Sequence, residues 1–176
     1  MNSIFELWAN KIPNYASIYK APLFEQITNF GGGSEENKLY AAKSFSSGYE
    51  LYIYAFFLGL YSNRYSPLEG IPKQNFSVPI KDWGRKTNRL GREDFTDLQL
   101  YLFYACFVRT DIDWLEVDKG NIPVQTAISE LIKTLEAYTN GGFEIIKDQI
   151  DNHPSIYRLD PNKFLELMFK VIDSQQ

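Results

Sequence analysis

Two uncharged, aromatic-rich runs dominate the alternation of apolar and polar positions along the chain. The first, Leu51 to Tyr61, is eleven residues long, carries no charge and contains five aromatic side chains. Directly before it stands Ser47-Gly48-Tyr49-Glu50, a Ser-x-x-Glu sequence. In such a sequence the hydroxyl and the carboxylate can each satisfy one orphan N–H at a helix start. The pattern predicts a helix over about 48–61, apolar on every side and therefore buried all round. The second run, Leu100 to Val108, follows Thr96-Asp97-Leu98-Gln99, the Thr-x-x-Gln form of the same signal, and predicts a helix over about 97–109. Tyr, Phe and Ile also favour strands, but the capping sequences and the run lengths favour helix. Ser47-x-x-Glu50-Leu51-Tyr52-Ile53-Tyr54 matches Thr96-x-x-Gln99-Leu100-Tyr101-Leu102-Phe103 position by position. We read two equivalent core positions filled alike and expect the two helices to touch.

The remaining pattern is helical as well. Ser3 can cap a helix over Ile4–Lys11, which Pro13 ends, and Ala21-Pro22-Leu23 reads as a start with proline in the first turn. Ser34-Glu35-Glu36-Asn37 predicts a helix to about Phe45. Pro123 to Tyr138 carries Ala127, Ile128, Leu131, Ile132 and Leu135 as one stripe, and Asn140-Gly141-Gly142 predicts its end. A shorter helix, Phe143–Ile150, and a last one after Asp160-Pro161 follow. Between the two aromatic runs, residues 62–93 hold three prolines and three glycines and predict a long irregular loop. Within it we expect a helical turn near Lys81–Trp83, with a small hairpin inside 70–82 as the alternative. The expected fold class is all-α: a single compact domain of six to eight helices around the two buried aromatic-rich helices, 48–61 and 97–109.

Composition fits that picture. At 176 residues, 44% apolar and 23% charged, the chain suits one globular domain, and 16% aromatic residues imply a core of large rings. One cysteine, Cys106, excludes an internal disulfide and fits a reducing compartment. The N-terminus lacks the basic and apolar segments of a signal peptide, and no apolar run approaches the ~20 residues of a bilayer span. A cytoplasmic protein is expected.

Charge changes the picture more than composition does. The net charge is −4, yet residues 64–92 hold seven Lys/Arg against two Asp/Glu, and residues 111–176 hold six against twelve. The cations Lys81, Arg85, Lys86, Arg89 and Arg92 crowd around Trp83 and Asn88, with Arg64 upstream. Arg and Lys bind phosphates and an indole can stack on an unpaired base, so this mixture suits nucleic acid. The loop equally suits pairing with the acidic C-terminal third of the same chain, or docking of an acidic partner.

Catalytic patterns are sparse. The one histidine, His153, lies in the turn Asp151-Asn152-His153-Pro154, and one His with one Cys supports no His/Cys zinc site. No Gly-x-Ser-x-Gly elbow is present. Gly31-Gly32-Gly33-Ser34 lacks a following Gly-Lys-Ser/Thr and precedes two glutamates that would repel a phosphate. Asp111 and Asp113 are the best candidates for a carboxylate-dependent hydrolase, with helix capping as their other reading. No catalytic residue, metal ligand or cofactor is assigned.

Tyr49-Glu50-Leu51-Tyr52-Ile53-Tyr54-Ala55-Phe56-Phe57-Leu58-Gly59-Leu60, followed by Asn63-Arg64-Tyr65-Ser66-Pro67-Leu68, resembles a segment of small helical bacterial proteins associated with DNA phosphorothioation (Dnd-type) systems. The resemblance implies a helical accessory protein working beside DNA-modifying partners, with no catalytic residues to carry over. The expected function is a non-enzymatic accessory protein. It would contact nucleic acid, or a nucleic-acid-bound partner, through Arg64, Lys81, Trp83, Arg85, Lys86, Asn88, Arg89 and Arg92. The alternatives are a small carboxylate-dependent hydrolase and a structural subunit of a larger complex.

Overall fold

A computed structural model describes residues 3–28, 44–86, 93–160 and 162–175. In chain order its elements are α1 (Ile4–Ala9), β1 (Asn14–Ala16), α2 (Gly48–Tyr61), β2 (Lys73–Asn75), α3 (Leu98–Arg109), α4 (Trp114–Asp118), α5 (Val124–Asn152), α6 (Pro154–Leu159) and α7 (Asn162–Asp173). Between β1 and α2, residues 17–27 form successive 3-10, π and α turns in place of the helix expected from Ala21-Pro22. The class is all-α, as the periodicity predicts. The chain forms two compact units, one of Met1–Asn14 and Gln74–Glu136, the other of Tyr15–Lys73 and Ala137–Gln176. The two aromatic-rich helices, α2 and α3, belong to different units.

In the first unit, α1 begins with a complete capping box: Glu6 N–H donates to Ser3 Oγ (3.2 Å) and Ser3 N–H to Glu6 Oε2 (2.8 Å). α1 packs on α3 through aromatic edges, with Phe103 meeting both Phe5 and Trp8 at 5.5 Å. The backbone N–H and side-chain amide of Asn14 both donate to Glu136 Oε1, at 2.7 and 2.9 Å. That gives the buried Glu136 carboxylate the donors a buried charge requires.

In the second unit, α2 runs over the predicted residues. Its start is held by Glu50, whose carboxylate accepts from the N–H groups of Ser46 (2.8 Å) and Ser47 (3.3 Å). Leu51, Tyr52, Ile53, Ala55, Phe56 and Leu58 are all buried, so more than one face of the helix is covered. Phe143 of α5 takes ring contacts from Tyr19, Phe24 and Tyr52 at 5.3–5.9 Å. Phe164 of α7 meets Tyr54, whose hydroxyl donates to the Phe164 carbonyl at 2.6 Å.

The Asn140-Gly141-Gly142 stop does not exist: α5 runs through it as one helix of 29 residues. Each glycine costs a helix interior about 1 kcal/mol relative to alanine, so local propensity argues for a break. Packing overrides it. A Cβ on Gly142 would lie 1.8 Å from the Ala55 carbonyl oxygen, one on Gly59 2.0 Å from that of Tyr138, and one on Gly141 2.0 Å from that of Arg64. Ala55 and Gly59 on α2 face Tyr138 and Gly142 on α5, backbone against backbone.

Three further expectations differ. Of the helix predicted over 34–45, residues 34–43 lie outside the described residues, and Phe45 bridges Thr28. The hairpin alternative within 70–82 is replaced by pairing of β2 with β1. Phe76 N–H donates to the Pro13 carbonyl in the first unit and Ser17 N–H to that of Pro72 in the second, both at 2.9 Å. Finally, α3 is buried on one side only. Leu102, Phe103 and Cys106 point inward, while Tyr101, Tyr104 and Val108 are exposed.

The glycine seam generates a signed prediction. Helix propensity alone makes Gly142→Ala stabilising by about 1 kcal/mol. An ordinary carbon–oxygen contact needs roughly 3.3 Å, so the methyl forces the two backbones apart by roughly 1.5 Å. Overpacking of that kind costs about 1–3 kcal/mol or more. We expect Gly142→Ala and Gly59→Ala each to lower the urea unfolding midpoint, and a raised midpoint would refute the seam.

Candidate anion-binding cleft

The first unit carries an open cleft of about 530 Å³ lined by Phe5, Glu6, Ala9 and Asn10 of α1, by Lys81, Arg85 and Lys86, and by Asp94, Thr96 and Gln99. Its floor is set by a turn that the sequence specifies locally. Pro79 is extended and a 3-10 turn follows over Ile80–Asp82. The Trp83 ring then turns inward, stacking edge-on against Phe76 at 5.5 Å and donating its indole N–H to the Val78 carbonyl at 3.1 Å. With Trp83 inward, Lys81 and Arg85 on either side of it face solvent. Gly84 reverses the chain at a φ of +78°, where a side chain would also strike Phe95, and Phe95 N–H returns to the Gly84 carbonyl at 2.9 Å.

One polar side chain fixes this turn onto α3. Gln99, buried among the inward residues of the helix, donates Nε2 to the carbonyls of Lys81 (3.1 Å) and Trp83 (2.6 Å). The sequence reads Gln99 as half of a capping box with Thr96, and the structure corrects that. The Thr96 N–H and hydroxyl both donate to Asp94 Oδ1, at 3.0 and 2.6 Å, and the N-cap is Asp97. Gln99 is instead a clamp between helix and loop.

The cleft lining therefore has three cations and two carboxylates, and the carboxylates are already occupied. Glu6 accepts from Ser3. Asp94 accepts from Thr96 and from the Lys86 backbone N–H (3.2 Å), and the Thr96 bonds, reinforced by Lys86, hold its carboxyl below the usual range. Arg85 reaches Asp82 at 3.3 Å. Lys81 and Lys86 have no ion-pair partner among the described residues. Thr96 is a poor nucleophile here, because its hydroxyl points at a carboxylate that is a weakened base. The arrangement can hold an anion and offers no evident covalent chemistry.

The predicted site residues divide accordingly. Lys81, Arg85 and Lys86 come together in the cleft. Trp83, 1% exposed, cannot serve as a stacking platform for a base; that expectation is corrected by its inward rotation onto Phe76. Arg64 belongs to the second unit, where its Nε donates to Glu144 Oε2 at 3.0 Å. This is pairing with the acidic C-terminal third, as one reading of the charge pattern expects. Asn88, Arg89 and Arg92 lie outside the described residues. Sequence reasoning missed Phe5, Glu6, Asn10, Thr96 and Gln99. Of these only Gln99 leaves a signal, as the polar member of the inward set 99, 102, 103 and 106.

Elsewhere, Asp111 and Asp113 are both exposed. Asp113 caps α4 by accepting from Leu115 (3.0 Å) and Glu116 (3.1 Å), so the hydrolase alternative loses its best candidates. His153 is exposed at the start of α6. Burial pushes the Cys106 thiol up and makes it unreactive. Among the described residues no cluster of His, Cys, Asp or Glu could hold a metal ion, and no helix is long and apolar enough to cross a membrane. No family model, curated protein or solved structure shows significant similarity to this chain.

The clamp predicts a pH-dependent variant. Gln99→Glu replaces a donor by an acceptor facing two carbonyls, so the folded state favours the protonated acid and raises its pKa. The penalty is then small below the ordinary carboxylate range and grows as pH rises through it. We expect urea midpoints of Gln99→Glu to fall away from those of the parent as pH increases. Gln99→Ala should lose about 1–3 kcal/mol with little pH dependence. Parallel pH profiles for Gln99→Glu and the parent would show that Gln99 does not clamp the turn.

Proposed function

We propose that the chain is a non-enzymatic accessory protein that holds the phosphate backbone of nucleic acid on the cleft of its first unit, through Lys81, Arg85 and Lys86. The observation that carries this reading is the convergence of three cations on one cleft whose own carboxylates are taken up by N–H and hydroxyl donors. With Trp83 buried, recognition goes to phosphate and not to unstacked bases, so little sequence preference is expected. The resemblance of residues 49–68 to Dnd-associated accessory proteins points toward DNA as the polymer, in a bacterial cytoplasm beside DNA-modifying partners.

Three phosphate contacts on a duplex give a salt slope near −2.7, or about a 40-fold loss of affinity between 50 and 200 mM salt. Fluorescence anisotropy with labelled duplex and single-stranded DNA and RNA measures it. We expect the triple variant Lys81→Glu, Arg85→Glu, Lys86→Glu to abolish binding. Asp111→Asn with Asp113→Asn should leave it intact. Binding that survives the triple variant, or is absent at low salt, would overturn the reading.

A second reading, an interaction subunit of a larger complex, is favoured by the exposed apolar side of α3.

A further inference from the structure

We infer that Asp94, an anion on the wall of an anion-binding cleft, is a positioning residue. It holds the Lys86 end of the cationic turn in place, so that removing its charge weakens phosphate binding. The inference rests on the phosphate reading of this cleft. Asp94 lines the cleft together with Lys81, Arg85 and Lys86. Its side chain is exposed and repels an anion that enters. Its hydrogen bonds show what offsets the repulsion. Oδ2 accepts from the backbone N–H of Lys86, eight residues earlier, at 3.2 Å. Oδ1 accepts from the backbone N–H and the hydroxyl of Thr96, at 3.0 and 2.6 Å. The bond to Lys86 uses its main chain and not its ammonium.

The turn is thereby held at both ends. Gln99 donates to the carbonyls of Lys81 and Trp83, and Phe95 N–H to that of Gly84 at 2.9 Å. Asp94 adds a contact at Lys86, so Arg85 lies between two fixed positions. A loop ordered before binding loses less entropy when the ligand arrives. The contact also requires a carboxylate. Three donors converge on two oxygens, and an asparagine has only one. With that oxygen on Thr96, its amide nitrogen faces the Lys86 N–H, donor against donor. Hydrogen bonds to an ionised acceptor are stronger than neutral ones as well. The bonds from Thr96, with that from Lys86, hold the Asp94 carboxyl below its usual range, so it is ionised at neutral pH. On an exposed group the repulsion is screened by water and salt, whereas the placement of Lys86 is not.

Asp94→Asn separates the two effects, because a carboxylate that only repels and one that positions give opposite signs. Fluorescence anisotropy with a labelled DNA duplex compares this variant with the parent and with Asp111→Asn. The latter removes the same charge at an exposed position outside the cleft lining. We expect Asp94→Asn to bind about tenfold more weakly at 50 mM salt. Its salt slope should fall from about −2.7 to about −1.8, one phosphate contact fewer. Asp111→Asn should match the parent. Amide hydrogen exchange on the free protein reads the same contact without a ligand. The Lys86 N–H should exchange faster in Asp94→Asn, while the circular dichroism spectrum is kept. If the parent binds, equal or tighter binding by Asp94→Asn, or unchanged exchange at Lys86, overturns the inference and leaves the phosphate reading standing. A parent that binds no nucleic acid at low salt overturns the phosphate reading and the inference with it.

Discussion

In the second unit, the contact between Ala55 and Gly59 on one helix and Tyr138 and Gly142 on the other sets what the remaining side chains can do. Backbones that touch leave no room for intervening methyls, so the position of α2 on α5 is fixed by carbonyl oxygens. From that fixed point follow the adjacent contacts. Arg64 N–H returns to the Gly59 carbonyl at 2.8 Å, and Ser66 N–H reaches the Ala137 carbonyl at 3.0 Å. The amide of Asn140, next to the glycines, donates to the Ser66 carbonyl at 3.0 Å. Glu144, one turn further, accepts from Arg64 and from the Ser66 hydroxyl. The chain leaving α2 is thus laid along α5 by polar contacts that the close approach makes possible. The neighbouring Tyr19 hydroxyl, buried and facing Glu144, is pushed up to about 12, chiefly by desolvation.

The first unit is held differently. Its critical polar contact is Gln99, whose two donated hydrogen bonds make the Lys81–Gly84 turn part of α3's surroundings. The Lys81 and Trp83 carbonyls are thus satisfied by Gln99 and not by the cationic side chains. Exposed ion pairs such as Arg85 with Asp82 contribute little stability, so Arg85 can exchange that partner for an external anion at small cost.

How far this was legible in the sequence depends on whether a signal is local. The start of α2 is local: Glu50 is close enough to cap it, and an uncharged run follows, so its boundaries are read correctly. The continuity of α5 is not local. Asn140-Gly141-Gly142 is indistinguishable in sequence from a helix stop, and only the backbone of α2 arriving at Gly142 explains why glycine is needed in mid-helix. Trp83 fails for a similar reason. An indole among cations reads as a stacking surface, and nothing nearby in sequence says that Phe76 and the Val78 carbonyl take it inward. The exposed side of α3 was hidden by tyrosine itself, which is at home in a core or at a surface. Of the site, the cations of 81–86 were legible as charge. The α1 wall of the cleft was not, because some seventy residues separate it from them.

α3 joins the two functional readings of the first unit through its geometry. Successive residues on an α-helix turn by about 100°, so Gln99 and Tyr101 lie on opposite sides. The side that clamps the cationic turn is therefore not the side that carries the exposed Tyr101, Tyr104 and Val108. A substitution at Tyr101, Tyr104 or Val108 leaves the Gln99 hydrogen bonds and the cleft lining in place, whereas one at Gln99 loosens the turn that carries Lys81. The two surfaces can be altered one at a time, because the body of a single helix separates them.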